Sequence, residues 1–196
     1  MRVNRIVEKT FAEGPGCRFC IWVQGCNHNC EGCFATELWD YEKGYEISAH
    51  EIINRFQLVE DELDGITFLG GEPFDKASEL SEVAKYVKSV QKNVITFTGY
   101  SYAELKGRDD IGTKALLENT DLLIDGEFVK EKTDYSRPLV GSSNQKFYYL
   151  GDGISKSQIE NYKNRFELRY DEHGTIHFNG MGNVEKLKEL IDKIKN

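Results

Sequence analysis

The sequence predicts an α/β fold, an open or partial (β/α) barrel of about six mainly parallel strands. Short apolar segments, rich in β-branched and aromatic residues, alternate along the chain with segments of helical periodicity. Several of these segments end in glycine-containing turns, and parallel strands bring their carboxyl ends to one edge of a sheet. The 196 residues are too few for a closed eight-stranded barrel, which typically needs ~250.

The elements can be predicted in chain order. The first strand runs from Arg18 to Gln24, and the first helix begins at Ser48, which has the spacing of a capping box with Glu51. Ser101 and Glu104 have the same spacing and predict the start of a later helix. Further strands are predicted at 65–69, 94–98, 121–125, 147–150, 166–170 and 175–178, and further helices at 77–91, in a short segment that ends at 116, and at 184–194.

The composition is that of an ordinary globular protein, with 39% hydrophobic and 30% charged residues. No apolar run approaches the ~20 residues that span a bilayer, and the first ten residues lack the apolar stretch of a secretion signal. We therefore expect a cytoplasmic protein without a membrane partner. The net charge of −8, without a cluster of Lys and Arg, argues against nucleic acid as a partner.

All five cysteines lie between positions 17 and 33. Their odd number and the expected reducing compartment argue against a disulfide framework and favour metal or redox chemistry. Cys26, Cys30 and Cys33 form a C-x3-C-x2-C loop directly after a predicted strand. Three thiolates on one loop can bind three irons of a [4Fe–4S] cluster. The fourth iron is then open to an amino-acid ligand such as the methionine part of S-adenosylmethionine (SAM).

Zinc remains an alternative at this point. Cys17 and Cys20, with Cys30 and Cys33, supply the ligand types of a four-cysteine zinc site. Residues three apart in a strand point to opposite faces, however, so the first pair would not converge easily. A buried position for both thiols is the simpler interpretation. A set of His28 and the three loop cysteines would strain tetrahedral closure, and spacing alone favours the iron–sulfur cluster only modestly.

The segment Gly70-Gly71-Glu72-Pro73 ends a predicted strand. Glycines let a ligand approach the backbone closely, and the backbone carbonyls or the Glu72 carboxylate can accept hydrogen bonds from an ammonium group. An ordinary turn between a strand and a helix has the same composition. Together with the cysteine loop, the segment becomes specific and predicts a ligand site at this strand end.

Five segments resemble the radical SAM superfamily, and most closely the activating proteins of anaerobic ribonucleoside-triphosphate reductase. The cysteine loop and GGEP mark the superfamily, while GSSNQ at 141–145 and the Trp39-Asp40 pair indicate the reductase activators. The segments are Gly14-Pro15-Gly16-Cys17-Arg18, residues 24–34, residues 70–73, Thr98-Gly99-Tyr100, and 125–129 with 141–145.

The resemblance implies a set of ligands and contacts. The three loop cysteines match the cluster ligands, and Gly32, Cys33 and Phe34 match the segment that lies against SAM. Many members carry an aromatic residue where this chain has Gly32, so Phe34 is the nearest candidate for adenine stacking. Gly70, Gly71 and Glu72 match the strand end that receives the methionine amine.

Two further residues at strand ends are candidate cofactor contacts. Thr98 ends the strand that leads into Thr98-Gly99-Tyr100. Asp125 is placed to hydrogen-bond the SAM ribose or to help bind a monovalent cation, and capping of local amides is an equally good explanation of an aspartate there.

The resemblance also implies a function. The chain would cleave SAM reductively at one [4Fe–4S] cluster and generate a glycyl radical on a partner anaerobic ribonucleoside-triphosphate reductase, with a flavodoxin or ferredoxin as electron donor. Residues 1–150 would form the radical SAM core, and 151–196 a βα extension of the same domain without an assigned role. The alternatives are the same chemistry on another glycyl-radical enzyme or on a small molecule such as a modified-base precursor, and, more remotely, a zinc-binding interaction module.

Overall fold

The computed structural model describes residues 1–170 and 175–182. Its strands are β1 (Arg2–Thr10), β2 (Arg18–Val23), β3 (Tyr45–Glu46), β4 (Gly65–Gly70), β5 (Asn93–Phe97), β6 (Leu122–Asp125), β7 (Lys146–Tyr149), β8 (Phe166–Tyr170) and β9 (Ile176–Gly180). Its α-helices are α1 (Ala49–Gln57), α2 (Ala77–Ser89), α3 (Tyr102–Gly107), α4 (Ile111–Glu118) and α5 (Lys156–Asn161).

Seven strands form one sheet in the order β3-β1-β2-β4-β5-β6-β7, and β8 pairs with β9 in a separate hairpin. The four central strands, β2, β4, β5 and β6, are parallel. The flanking strands β1, β3 and β7 run antiparallel to their neighbours. The α/β class is confirmed, but the strands that the structure describes form an open, mixed sheet with edges at β3 and β7. They do not close into a barrel.

Most predicted elements are present with ends shifted by one or two residues. Both predicted capping boxes form, at Ser48 before α1 and at Ser101 before α3, because each serine accepts from the N3 amide and each N3 glutamate from the serine amide. The predicted helix at 184–194 lies outside the described residues. No helix among those described combines the length and apolar content that a membrane span requires.

The sheet has different partners on its two faces. Side chains alternate along β2, so Phe19 and Ile21 join the core that includes α1 and α2, whereas Cys20 and Trp22 face the opposite side. On that opposite side, further apolar residues of β5 and β6 pack against α5 and nearby loops. Leu139 and Val140 before β7, with Ile154 and Ile159 after it, therefore cover the face that the first four helices leave free.

The Gly-Pro-Gly-Cys-Arg segment at 14–18 packs around the buried side chain of its own arginine, Arg18. The guanidinium is completely buried at the amino-terminal ends of the parallel strands. It donates to Thr67 Oγ1 at 2.6 Å, to Asn93 Oδ1 at 2.7 Å and to the Ile66 carbonyl at 2.5 Å, and so joins three adjacent strands. Gly14 has a positive φ of 138° and packs so tightly that a Cβ would lie 2.8 Å from Arg18 Cδ. The segment therefore encloses a buried cation.

Candidate functional site

A cavity of about 450 Å³ lies at the carboxyl ends of the four parallel strands. It brings together the cysteine loop after β2 and the segments that follow β4, β5 and β6, as parallel strands predict. The hairpin β8–β9 supplies one wall. The predicted site residues that line the cavity are Cys26, Gly32, Cys30, Cys33, Phe34, Gly70, Gly71, Glu72 and Thr98.

The cysteine loop is held at its start by main-chain hydrogen bonds. The Gly25 amide donates to the Leu38 carbonyl at 2.8 Å, and the Cys26 amide to the Trp39 carbonyl at 3.2 Å. All three loop thiols are half-buried. Burial raises the pKa of Cys26 to about 11 and also raises the pKa of Cys30. These thiols must lose a proton to bind iron.

Cys17 and Cys20 are both buried, as predicted, and belong to different sides of the sheet. Cys17 packs in the core on the helix side, and Cys20 packs beside Trp22 on the other side. The alternation of a strand separates them. The two therefore do not converge with Cys30 and Cys33, as a four-cysteine zinc site would require.

The two glycines of GGEP allow β4 and β2 to approach closely where both strands end. A Cβ on Gly71 would lie 2.2 Å from the Gly25 carbonyl oxygen, and one on Gly70 would lie 2.7 Å from the Trp22 Cα. The Glu72 amide donates to the same Gly25 carbonyl at 2.8 Å. Backbone packing against the start of the cysteine loop thus requires glycine at both positions, whether or not a ligand is bound.

The Glu72 carboxylate is buried and fully engaged within the protein. One oxygen accepts from the Phe74 amide at 2.9 Å and from the Thr98 hydroxyl at 2.8 Å. The other accepts from the Gly99 amide at 2.8 Å and lies 3.2 Å from His28 Nε2. Glu72 and Thr98 therefore join the ends of β4 and β5 to the cysteine loop.

His28, in the cysteine loop between Cys26 and Cys30, lies between two carboxylates, those of Glu72 and Glu127. The sequence pattern did not predict this role. Its Nδ1 lies 2.8 Å from the Glu127 carboxylate, opposite the contact to Glu72, and its ring contacts Tyr100 edge-on at 4.5 Å. The hydrogen bond to Glu72 is the largest of the effects that raise the pKa of His28 to about 9. A protonated imidazole donates to both carboxylates. Gly99 leaves room for the ring, since a Cβ there would lie 2.5 Å from it.

Phe34 and Gly32 lie at the rim of the cavity. The Phe34 side chain is 62% exposed and contacts Phe178 of the hairpin with ring centroids 5.9 Å apart. Gly32 has a positive φ of 78°, which favours glycine. The positions of both residues allow contact with a ligand in the cavity.

Asp125 is separated from this group. Its buried carboxylate accepts from the Tyr102 amide at 2.7 Å, and Asp125 is not among the described residues that line the cavity. The amide belongs to the first residue of α3, 23 residues away in the chain, so Asp125 joins the end of β6 to the start of α3. The GSSNQ loop also makes internal contacts: Gln145 Oε1 accepts from the Gly141 amide at 2.8 Å, and Gln145 Nε2 donates to the Gly126 carbonyl at 3.0 Å.

Arg5, Trp22 and Glu13 are among the further residues that line the cavity and that the sequence did not predict as site residues. The Arg5 guanidinium carbon lies 4.3 Å from the centroid of the Trp22 ring. Glu13 is buried on the loop after β1, where desolvation raises its pKa to about 7. The alternation of charged and apolar residues in β1 is the only sequence signal that could have located Arg5 on a sheet face.

The cavity and its thiols agree with the comparison with protein families. The family model of the 4Fe-4S single cluster domain matches residues 12–148, which is more than half of the chain and contains the whole cysteine loop. This match places the chain in the class of 4Fe-4S single-cluster proteins.

Relatives of known name refine this class. A protein of Enterobacteria phage T4 is 30% identical over 162 residues, which cover 80% of this chain and 99% of the relative. A Vibrio cholerae protein is 34% identical over 140 residues, 67% of this chain and 87% of the relative, and an Escherichia coli protein is 29% identical over 158 residues, 76% and 99%. All three are named anaerobic ribonucleoside-triphosphate reductase-activating protein. The chain belongs to this family.

Proposed function

We propose that the chain is a radical SAM activating enzyme that generates a glycyl radical on a partner anaerobic ribonucleoside-triphosphate reductase. One observation carries the proposal: three half-buried cysteines of one loop line a single cavity at the carboxyl ends of the strands. Cys26, Cys30 and Cys33 would hold a [4Fe–4S] cluster, which would supply the electron for cleavage of SAM into methionine and a 5′-deoxyadenosyl radical. The names of the relatives support the reductase as the recipient.

The donor set fits an iron–sulfur cluster. Within the residues described, no group of three His, Cys, Asp or Glu side chains is arranged around one metal position. A cluster offers each thiolate a separate iron, so Cys26, Cys30 and Cys33 do not have to meet at one point. The cavity beside these thiols is large enough to accept a ligand next to them.

The remaining cavity residues would position SAM rather than transfer protons. The backbone at Gly70, Gly71 and Glu72 offers carbonyl groups for the methionine amine. Phe34 offers an exposed aromatic face for the adenine. Glu72 and His28 hold the surrounding loops, because their polar groups are already paired with each other. No side-chain acid or base is needed for hydrogen-atom transfer from a glycine.

The division of the chain and the electron donor are parts of the same proposal. Residues 1–150 would form the catalytic core, and the segment from 151 onward would complete the covering of its second sheet face, where Ile159 of α5 is buried. A small flavodoxin or ferredoxin would reduce the cluster in the cytoplasm. Another glycyl-radical enzyme or a small molecule remains the alternative recipient.

Replacement of single cysteines tests the cluster site. Protein purified without oxygen should contain about four irons and about four sulfides per chain, as one [4Fe–4S] cluster does. Cys26→Ala, Cys30→Ala and Cys33→Ala should each lose the cluster, because one of three ligands is missing. The matched control is the double variant Cys17→Ala/Cys20→Ala, which should keep its iron. Loss of iron only in the double variant would contradict the ligand assignment.

A further inference from the structure

A glycine that is to lose its α-hydrogen offers no side chain for recognition. An enzyme that acts on it can hold the main chain around it, whose carbonyl groups accept hydrogen bonds from N–H donors. This reasoning rests on the proposed function. An extended peptide in the cavity would therefore need N–H donors from a residue that lines it.

Arg5 has such donors. Its Nη1 donates to the main-chain carbonyl of Phe178, on β9, at 3.2 Å. Its Nε is buried and has no hydrogen-bond partner among the residues described. A guanidinium carries five N–H groups in a fixed planar fork, so a single carbonyl leaves most of this capacity unused. A bound oxygen acceptor would satisfy donors that the described residues leave unpaired.

The Trp22 ring packs against this guanidinium. The Arg5 carbon lies 4.3 Å from the ring centroid, within the range of a favourable cation–π contact. β1 and β2 pair Arg5 directly with Trp22, so the strand register itself holds the two side chains together. Desolvation lowers the pKa of Arg5, and the nearby Glu13 and Glu37 oppose this effect in part.

The hairpin shows what kind of group this position accepts. Phe178 presents a main-chain carbonyl of an extended strand to Arg5, while its ring contacts Phe34, the residue after Cys33. The hairpin lies outside residues 12–148, which match the family model. Arg5, Trp22, Phe178 and the cysteine loop line the same cavity.

We propose that Arg5 binds a main-chain carbonyl of the partner's glycine-containing segment, with Trp22 beneath the guanidinium and the hairpin β8–β9 as the facing wall. The occupant is an extended peptide, and the contact selects main chain rather than a side chain. The carboxylate of SAM is another oxygen acceptor that could bind Arg5. The experiment below distinguishes the peptide carbonyl from the SAM carboxylate.

The test compares Arg5→Met and Arg5→Lys with Arg2→Met, all as full-length, cluster-containing protein. Methionine keeps an unbranched apolar side chain on Trp22 without donors, and lysine keeps the charge without the planar fork. Arg2 is a second guanidinium of β1 and does not line the cavity. The KM for the reductase in radical formation should rise roughly 10- to 100-fold in Arg5→Met, the effect of one lost charged hydrogen bond. It should rise less in Arg5→Lys and by less than about twofold in Arg2→Met.

A binding measurement supplements the kinetics. In a Trp39→Phe background Trp22 is the only tryptophan, since the chain contains two. An end-blocked synthetic peptide with the reductase's glycine at its centre should change the Trp22 fluorescence, and Arg5→Met should weaken this binding by a similar factor. Melting curves of each variant identify loss of folding.

Two results would overturn the inference. Equal reductase KM and peptide affinity in wild type and folded Arg5→Met would remove the main-chain contact. The second result is that Arg5→Met weakens SAM binding, measured without reductase, by the same factor by which it raises the KM for the reductase. That result would assign Arg5 to the SAM carboxylate. Failure of the proposed function is recognised separately, because wild-type protein would then form no radical on the reductase while binding SAM normally.

Discussion

The Glu72 carboxylate accepts hydrogen bonds from residues of three different segments of the chain, and His28 places an imidazole between it and Glu127. Because Glu72 is buried, its negative charge requires such partners. His28 supplies the compensating charge, and its side chain is only 10% exposed. The position of the cysteine loop thus depends on a polar network as well as on its own backbone.

Glu13 is a second buried acid of the cavity, and it carries a prediction about pH. Its folded pKa of about 7 is above its ordinary 4.5, mainly because of desolvation. The folded protein therefore binds this proton more tightly than the unfolded chain. Its contribution to the free energy of unfolding is present below pH 4.5 and is lost as pH rises through 7.

Glu13→Gln should remove this pH dependence, because glutamine stays neutral and keeps an oxygen for the Asn179 amide, 3.1 Å away. The variant should gain about 2 to 3 kcal/mol in unfolding free energy relative to wild type between pH 5 and pH 8. Urea denaturation of wild type and variant at pH 5 and at pH 8 measures this gain in unfolding free energy. The two proteins must have the same iron content. Glu46→Gln, at an exposed position, serves as the control. Parallel pH profiles of wild type and Glu13→Gln would show that Glu13 titrates normally.

Sequence reasoning identified the contiguous motifs of the site but not their cross-links. The cysteine loop and GGEP could be predicted because each motif carries its chemistry within a few neighbouring residues. The contacts of His28 could not, since Glu72 and Glu127 are 44 and 99 residues away in the chain. Arg5 and Glu13 belong to a strand and a loop without any local motif.

At the scale of elements, the central βα units and β7 were predictable from the sequence, and the flanking strands β1 and β3 were not. Strands β2, β4, β5 and β6 are apolar runs buried on both faces, the pattern of a parallel sheet. β1 mixes charged and apolar residues with only partial alternation, and its pairing with β2 has irregular register at two points. Its position next to β2 therefore depends on tertiary contacts.

Arg18 links the central strands and provides a prediction at this scale. Arg18→Met should lower the free energy of unfolding by at least about 3 kcal/mol, because several buried acceptors lose their donor together. Thermal or urea unfolding measures the loss. The matched control is Arg55→Met, which removes a half-exposed guanidinium paired with Glu8 at 2.9 Å and should cost less than about 1 kcal/mol. Equal effects of the two substitutions would contradict a structural role for Arg18.

At the scale of the whole molecule, the cavity lies between two parts of the chain that are far apart in the sequence. The parallel strands and the cysteine loop form one side, within residues that match the family model. The hairpin β8–β9 forms the other side, with Phe178 in contact with Phe34. The predicted strands of this region are present, but only the folded structure shows that they line the site.

The central claim is that the radical made by this protein is transferred to a glycine of the reductase. Electron paramagnetic resonance of the two proteins, separated after reaction without oxygen with SAM and a reductant, tests it most directly. We predict a persistent organic radical on the reductase, whose signal narrows when the reductase is made with α-deuterated glycine. SAM cleavage that leaves the reductase without a radical, while a small molecule is consumed instead, would contradict it.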